Sequence, residues 1–592
     1  MADLRACQRA GDHRQHAHLG FSAIARSQGR DGLASLPQTE RAECLDLLGL
    51  WLKALRLENP QAQVHLQGLR HALHFLVEAL GAEPASWLAR ALGLPKGSKA
   101  DEPACWPSWQ QRKFSLLGDV LLLPAARWTE WASLQPEDAA VFAVSALHEY
   151  GMSDERHARW QELAEAIADH PGLLPLPLQA LNACQAAAFH AAYMSSPRKH
   201  ACKAQLVAWM RATLLKALPA LEARPASRPM RPRPRLLIVG EQLAHGHAML
   251  RCYADALASL RARFEVLLLA EAESRCSEHN TLADACHYFP ANRWDLHGLI
   301  RTVRQLDPDV ILFPSVGMAP WTFAAAALRL APLQLAGLGH PGPACSPAID
   351  GTVVFAPMAP DTPDPGYGAV LVCTELPLPS GLPEDALAEA RQSAGSSTRP
   401  PAPLLGINAS AVKLNARFLG DLEAIVRKAP KGTRLRFFPN MAYTAGEAVA
   451  ARLRARFPDA DVRPQQGALD YALALAQCSA VVQTYPFGGT NTTIDALALG
   501  VPVVCLESEG IEGAVDPLLV RAAGYPGDVL ATREALIEHV AALLGSAADR
   551  PARPPFNLPA VARVDTATPS TFADQVWLAW TATAARMGSP ST

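Results

Sequence analysis

Neither sign of charge dominates this chain: its 592 residues hold 54 Lys and Arg against 56 Asp and Glu. A formal net charge of -2 gives no electrostatic reason to expect a nucleic-acid partner or an anionic membrane surface. No run approaches the ~20 consecutive apolar residues that a membrane-spanning helix needs. The opening stretch, MADLRACQRAGDHRQHAHLG, lacks the apolar core of a secretory signal. The expectation is a cytoplasmic protein with no membrane span and no nucleic-acid partner. The 12 cysteines include no Cys-x-x-Cys pair, which argues against a zinc site of that spacing and against a small disulfide scaffold. The P-loop lysine motif is also missing, so a nucleotidase of that type has no support.

What is present divides the chain by texture. From about 38 to 220, segments such as AECLDLLGLWLKALRL, HARWQELAEAIADH and KAQLVAWMRATLLKAL carry apolar residues at three- and four-residue steps, as amphipathic helices do. They do not align as a ~34-residue repeat, so a tetratricopeptide array is not expected. The polar first 37 residues carry little signal. ARPASRPMRPRPR, 223–235, reads as a stiff connector. After it, short apolar runs (RLLIVGE, FEVLLLAE, VILFPSVG, GTVVFAP) alternate with helix-like segments, the pattern of a doubly wound sheet. AGSSTRPPAP, 394–403, is a second linker, and the alternation resumes beyond it with LLGINAS, RLRFFPN, AVVQTYP and VPVVCLE. The expected organisation is an all-α unit over 1–222, a linker over 223–235, and two Rossmann-like units over 236–400 and 401–592, the last ending in an amphipathic helix. Two such units would face each other across a cleft suited to a nucleotide ligand.

Four turns hold the candidate chemistry. In TYPFGGTNTTIDALALG a β-branched strand runs into a glycine turn and then a helix stopped by Gly500. Gly488 and Gly489 allow close backbone approach, and the amides of Thr490, Asn491, Thr492 and Thr493 at the helix start favour an anion. An ordinary capped turn would look the same. Asp495, one turn in, can complement the dipole or accept hydrogen bonds from a ribose. In INASAVKLNARFLGDLEAI, Lys413 opposes the dipole of the helix it precedes, so a bound phosphate explains it better than helix stability does. GLGHPG, 337–342, matches Gly-x-Gly-x-x-Gly, but no helix follows to receive a pyrophosphate, so a dinucleotide cofactor is not expected. His245 and His247 follow the strand RLLIVG. Without an acidic or cysteine partner at ligand spacing they do not read as a metal site. A loop histidine able to exchange a proton in the cleft, or one with a purely structural role, fits better.

Taken together, LAPLQLAGLGHPGPACSPAID, VKLNARFLGDLEAIVRKAP, YPFGGTNTTIDALALG, DPLLVRAAGYP and AYMSSPRKHACK resemble glycosyltransferase family forty-one. This family contains the O-linked N-acetylglucosamine transferases and the bacterial cytoplasmic asparagine glycosyltransferases of the high-molecular-weight adhesin C-protein type. The similarity spans about 190 to 530 and is closer to the asparagine type. It implies a GT-B fold preceded by an all-helical domain, and an inverting transfer of a hexose, glucose being the expected one, from a UDP-sugar to Asn in Asn-x-Ser/Thr sequences of a polypeptide such as an adhesin. No metal and no further cofactor are implied. By position, Lys413 matches the lysine that contacts the diphosphate, and Ser410 a hydroxyl in the same turn. Gly488, Gly489, Thr490 and Thr492 match the phosphate loop, and Asn491 and Asp495 match residues that hold the nucleotide. Gly339 and His340 fall in the Gly-His-Pro turn, and His247 is retained on the acceptor side, which makes Lys413, His247 and His340 the catalytic candidates.

The departures concern the sugar and the acceptor. The asparagine-type enzymes commonly carry Phe-Gly-Asn-Thr-Asn where this chain has Gly489 in the third place. Arg463, Gln465 and Gln466 stand where histidines are usual, Met441 where a glutamine is common, and Leu250-Arg251-Cys252-Tyr253 where Tyr-Arg-Thr-His is expected. Two alternatives follow: transfer to Ser/Thr hydroxyls or to a small molecule, and a non-catalytic nucleotide-sugar-binding scaffold. The chain's own Asn-x-Ser/Thr matches, at 408 and 491, lie within the expected site.

Overall fold

The computed structural model describes residues 36–588, apart from 56, 58–62, 64–65, 68–69, 95–102, 148–152, 220–230, 291–294, 360–362, 378–381, 397–401, 442, 464, 509, 548–552, 557–560 and 564–569. Nearly all of the polar first 37 residues, most of the Pro/Arg connector and half of the 394–403 linker lie outside the described residues.

Among the described residues, everything before Arg235 is helix and connecting loop. The helix Asp154–Asp169 shows why. Ser153 accepts from the Arg156 amide at its start, Asp154 and Glu155 complement the first turn, and His157, Trp160, Leu163, Ala164 and Ile167 form one buried stripe, the spacing of an amphipathic helix. The helical region shares one core with the sheet that follows it. Trp128, Trp131, Trp209 and Leu206 belong to the same buried cluster as Leu237, Val239, Ile311 and Phe313.

That first sheet has seven parallel strands: β1 (Arg235–Gly240), β2 (Glu265–Glu271), β3 (Ala285–Phe289), β4 (Val310–Phe313), β5 (Leu333–Ala336), β6 (Gly351–Phe355) and β7 (Ala369–Cys373), in the order β3-β2-β1-β4-β5-β6-β7. Its inner strands β1, β2, β4, β5 and β6 are buried on both faces because both are covered, whereas the edge strands β3 and β7 are partly exposed. Leu237 and Val239 face the helical region, whereas Leu236 and Ile238 belong to a separate core on the other side. A short β8 (Glu375–Pro377) follows. The second sheet comprises β9 (Leu404–Ile407), β10 (Arg434–Phe437), β11 (Asp461–Val462), β12 (Ala480–Val482), β13 (Val503–Leu506) and β14 (Val529–Leu530), all parallel, in the order β11-β10-β9-β12-β13-β14. β15 (Val561–Arg563) then returns to pair antiparallel with β8. The carboxyl-terminal helix, Phe572–Gly588, which the sequence grouped with the second unit, packs on β5, β6 and β7 and on the helix Ala248–Ser259 of the first. There it buries Phe572, Val576 and Trp580 in the core on that face of the first sheet.

Strand order reverses beside β1 in the first sheet and beside β9 in the second, and open α/β sheets bind ligands outside the carboxyl ends of strands at such switch points. Among the described residues no helix is long and apolar enough to cross a membrane.

Candidate active site

The loops after β1, β9 and β12 converge on one cleft of about 510 Å³, the size of a small-ligand site. Gly246, His247 and Arg251 reach it from the first sheet, and Ser410, Lys413, Gly489, Asn491, Thr492 and Asp495 reach it from the second. Seven of the candidate site residues are thus brought together, His247, Ser410, Lys413, Gly489, Asn491, Thr492 and Asp495, and Arg251, Gln465 and Gln466 from the departing stretches line the same cleft.

Lys413 ends a single 3-10 turn after β9. Its ammonium donates to the carbonyl of Gly488 and lies 5.0 Å from the centre of the Phe487 ring. Desolvation lowers its pKa to about 8, partly opposed by the Asp516 carboxylate. A cation held in so apolar a setting gains from an anion that replaces its lost hydration. The two loops that frame it are tied together by Asn415, which caps the helix Ala416–Lys428 through the Phe418 amide and donates to the Tyr485 carbonyl at 2.8 Å. Ser410 makes no capping bond with its hydroxyl.

The glycine loop differs from expectation in one respect. The amide of Thr490, expected to face an anion, donates instead to the buried carboxylate of Asp516 at 2.8 Å, as does the amide of Gly489 at 2.6 Å, and the Thr493 hydroxyl donates to it at 2.7 Å. Asp516 also explains Gly488, where a Cβ would stand 2.4 Å from its Oδ2. Thr490 enters the helix at φ +40°, a left-handed value uncommon for a threonine. With a carboxylate already at the helix start, the loop offers an incoming anion fewer amides than its sequence suggests, and more of the positive charge rests on Lys413.

Asp495 is buried beside the cleft. Tyr471 donates to its Oδ2 at 3.1 Å, while Oδ1 has no partner among the described residues. Burial raises its carboxyl to about 6, opposed by Arg251 and by the Tyr471 hydrogen bond. Asn491 accepts from the Cys252 thiol at 3.2 Å, a contact made across the cleft between the two sheets.

The histidines have separate fates. His247 caps the helix Ala248–Ser259, its Nδ1 accepting from the Met249 amide at 3.2 Å. Burial and Arg251 lower its pKa, so it is a neutral ring whose lone pair is already engaged. His245 is 83% exposed and pairs with Glu278, so the two histidines do not converge, and among the described residues no group of His, Cys, Asp and Glu is set to hold a metal. The two Asp-x-Asp tripeptides lie in ion pairs with arginines: Asp307 and Asp309 with Arg231, and Asp461 with Arg436 and Arg463. His340 does not line the cleft. It is 4% exposed and packs against Phe189, Tyr193 and Phe487 at 4.9, 5.6 and 5.5 Å between ring centres. Burial first, then Lys203, Lys413 and His200, hold its pKa well below the usual histidine range. Gly339 is a packing glycine, since a Cβ there would stand 2.9 Å from the Pro314 carbonyl and closer still to Met249.

Tyr471 and Asp516 had no part in the expected site, and Arg251 entered it only as a member of the acceptor-side stretch Leu250-Arg251-Cys252-Tyr253. Asp516 stands in a stretch already noticed, DPLLVRAAGYP, and Tyr471 lies shortly after Gln465 and Gln466, but both are polar positions on helices with no spacing rule to single them out.

The arrangement is the GT-B architecture, two facing Rossmann-like sheets with an all-helical region before them. A solved point mutant of the Thermobaculum terrenum O-GlcNAc transferase has the same overall fold, with a TM-score of 0.51 and 19% identity over 89% of this chain and 95% of that one. Among curated proteins, the chain is 26% identical over 305 residues to a UDP-glucose:protein N-beta-glucosyltransferase of Actinobacillus pleuropneumoniae serotype 5b, covering 50% of this chain and 47% of the relative. It is 29% identical over 233 residues to the protein of that name from serotype 7, covering 38% of this chain and 37% of the relative. The matches thus span about half the length of these relatives or less. No model of a known protein family matches the chain. The names of these relatives bear out the resemblance to the asparagine-glycosyltransferase side of family forty-one.

Proposed function

We propose that this protein is an inverting protein N-glycosyltransferase that moves a hexose, glucose in the first instance, from a UDP-sugar to Asn in Asn-x-Ser/Thr sequences. The observation that carries the reading is the desolvated Lys413 ammonium at the switch point of the second sheet, in the same cleft as Asn491 and Asp495. The relatives' names supply the sugar and the polypeptide acceptor. As the anomeric bond breaks, charge accumulates on the leaving diphosphate. Lys413 meets it with a preorganised donor, a contribution typically worth ~3 kcal/mol of barrier, and supplies the charge that a divalent metal would otherwise bring. Asp495 and Asn491 hold the nucleoside, and Ser410, Gly488, Gly489, Thr490 and Thr492 shape the diphosphate pocket. The acceptor attacks from the face opposite UDP, on the side of His247 and Arg251. His340 acts through Phe487, keeping that ring under Lys413. The setting is the bacterial cytoplasm, where UDP-sugars are made, and an adhesin is a fitting acceptor.

A second reading keeps the donor and changes the acceptor to a Ser/Thr hydroxyl or a small molecule, because Arg251 and Cys252 stand on the acceptor side in a sequence that departs from the family. A binding scaffold without turnover is the third. Incubation with a panel of UDP-sugars and paired Asn-x-Thr and Gln-x-Thr peptides, read by fragmentation mass spectrometry, separates them. Hexose on Asn alone is the expected result. Hexose on Thr in both peptides selects the second reading, and UDP binding with no acceptor modified selects the third.

A further inference from the structure

Gln483 follows β12 directly and precedes the glycine loop. Its backbone amide is satisfied by Val504 at 3.0 Å, but its side chain is not. It is 1% exposed, and neither Oε1 nor Nε2 has a hydrogen-bond partner among the described residues. Burying a primary amide with both ends unpaired costs stability, and such a group calls for an explanation.

Gly489 indicates where the amide has gone. A Cβ on Gly489 would stand 2.5 Å from Gln483 Oε1 and 2.4 Å from Thr492 Oγ1, so the amide fills the space that a side chain at 489 would take. Gly489 and Thr492 both form the cleft wall. Gln483 thus brings a side-chain amide to this part of the cleft wall from the strand behind. The loop also offers fewer donors to a ligand, because the Gly489 and Thr490 amides are taken by Asp516.

We infer that Gln483 is a donor-binding residue, its Nε2–H group reaching past the bare α-carbon of Gly489 to a phosphate oxygen of the nucleotide sugar. This inference rests on the reading of the cleft as a UDP-sugar site. A carboxamide rotates to present either its donor or its acceptor end, and no internal partner must be given up when the ligand arrives. The pairing also accounts for the absence of any side chain at 489.

The test is Gln483→Met, close in shape and unable to donate, with UDP and uridine binding measured on the full chain beside thermal stability. The expected result is UDP affinity reduced on the order of tenfold to a hundredfold, the range for a hydrogen bond to a charged group, with uridine affinity unchanged and the melting temperature equal or higher. Unchanged UDP affinity overturns the inference while leaving the UDP site standing. An equal loss of both ligands, or a lower melting temperature with the loss, makes the amide structural and also overturns it. A wild-type protein that binds neither ligand overturns the reading of the cleft together with this inference. Gly489→Ala, whose Cβ displaces the amide, is the second arm and replaces the first if Gln483→Met does not fold; it must show the same selective loss of UDP.

Discussion

Lys199 of the helical region and Glu512 of the helix behind the glycine loop form a buried ion pair. The Glu512 carbonyl accepts the Gly488 amide at 2.9 Å, so the same residue holds the helical region with its side chain and the cleft loop with its backbone. Removing one member of a buried pair typically costs about 3–5 kcal/mol because the other is left uncompensated. Glu512→Ala also leaves Lys199 near Lys203, whose fully buried ammonium has no hydrogen-bond partner among the described residues. Urea denaturation should show a loss of that order for Glu512→Ala and much less for the double variant Lys199→Met with Glu512→Leu. A single-variant loss under about 1 kcal/mol, the value of an exposed pair, would contradict the pairing.

Lys413 links activity to alkaline pH. With its pKa lowered to about 8, the free protein loses the ammonium, and kcat/KM falls, as pH rises through that value. A bound diphosphate favours the charged form, so kcat declines at higher pH than kcat/KM does. The stability sign is the opposite one. Between about 8 and the ordinary lysine value of 10.5 the unfolded chain holds more protons, so this group's contribution to stability rises with pH. Lys413→Ala should lower turnover on the order of a hundredfold to a thousandfold. Retained activity, or an unshifted alkaline limb in a Lys413→Arg variant that still turns over, would remove it from the mechanism.

Asp495 behaves in the reverse sense. Its folded pKa of about 6 lies above the ordinary 3.8, so the folded protein holds more protons across that window and the contribution of this group to stability is lost as pH rises through about 6. Asp495→Asn should therefore be more stable at pH 7, on the order of 2 kcal/mol, and bind UDP more weakly. Melting curves at pH 5 and pH 7 with UDP calorimetry read both. Lower stability at pH 7 would show that the carboxylate is needed for folding.

Charge supplied by Lys413 in place of a divalent ion leads to a direct expectation. Turnover in excess EDTA should equal turnover with added magnesium or manganese. A chelator-sensitive rate that a single metal restores would reject that part of the proposal.

Much of the fold was legible because its signals are periodic. LLIV in β1 and LLGI in β9 read as strands buried on both faces, and the stripe from His157 to Ile167 reads as a helix face. The convergence of Lys413, Asn491 and Asp495 was legible through the strand-turn-helix sequences around them. What escaped depends on contacts across long separations. Asp516 reaches the Gly489 amide from 27 residues away, and nothing in DPLLV announces a carboxylate turned into another loop. His340 was a catalytic candidate through the resemblance of its Gly-His-Pro turn, but the rings that enclose it come from positions 189, 193 and 487, which no local pattern connects. The placement of the last helix was misleading for a similar reason: an amphipathic stripe states that a partner exists, and sequence adjacency does not say which.

The return of that helix to the first sheet means that the chain passes between the two sheets twice. The outgoing pass leaves β7 through β8, the incoming pass runs through β15, and the two are laced by the β8–β15 ladder and by Thr374 and Glu375 donating to the Ser570 carbonyl at 2.8 and 3.0 Å. A single cord would let the halves swing and spin. A laced double strap resists that torsion, and so holds the faces bearing Arg251 and Asp495 in register across the cleft.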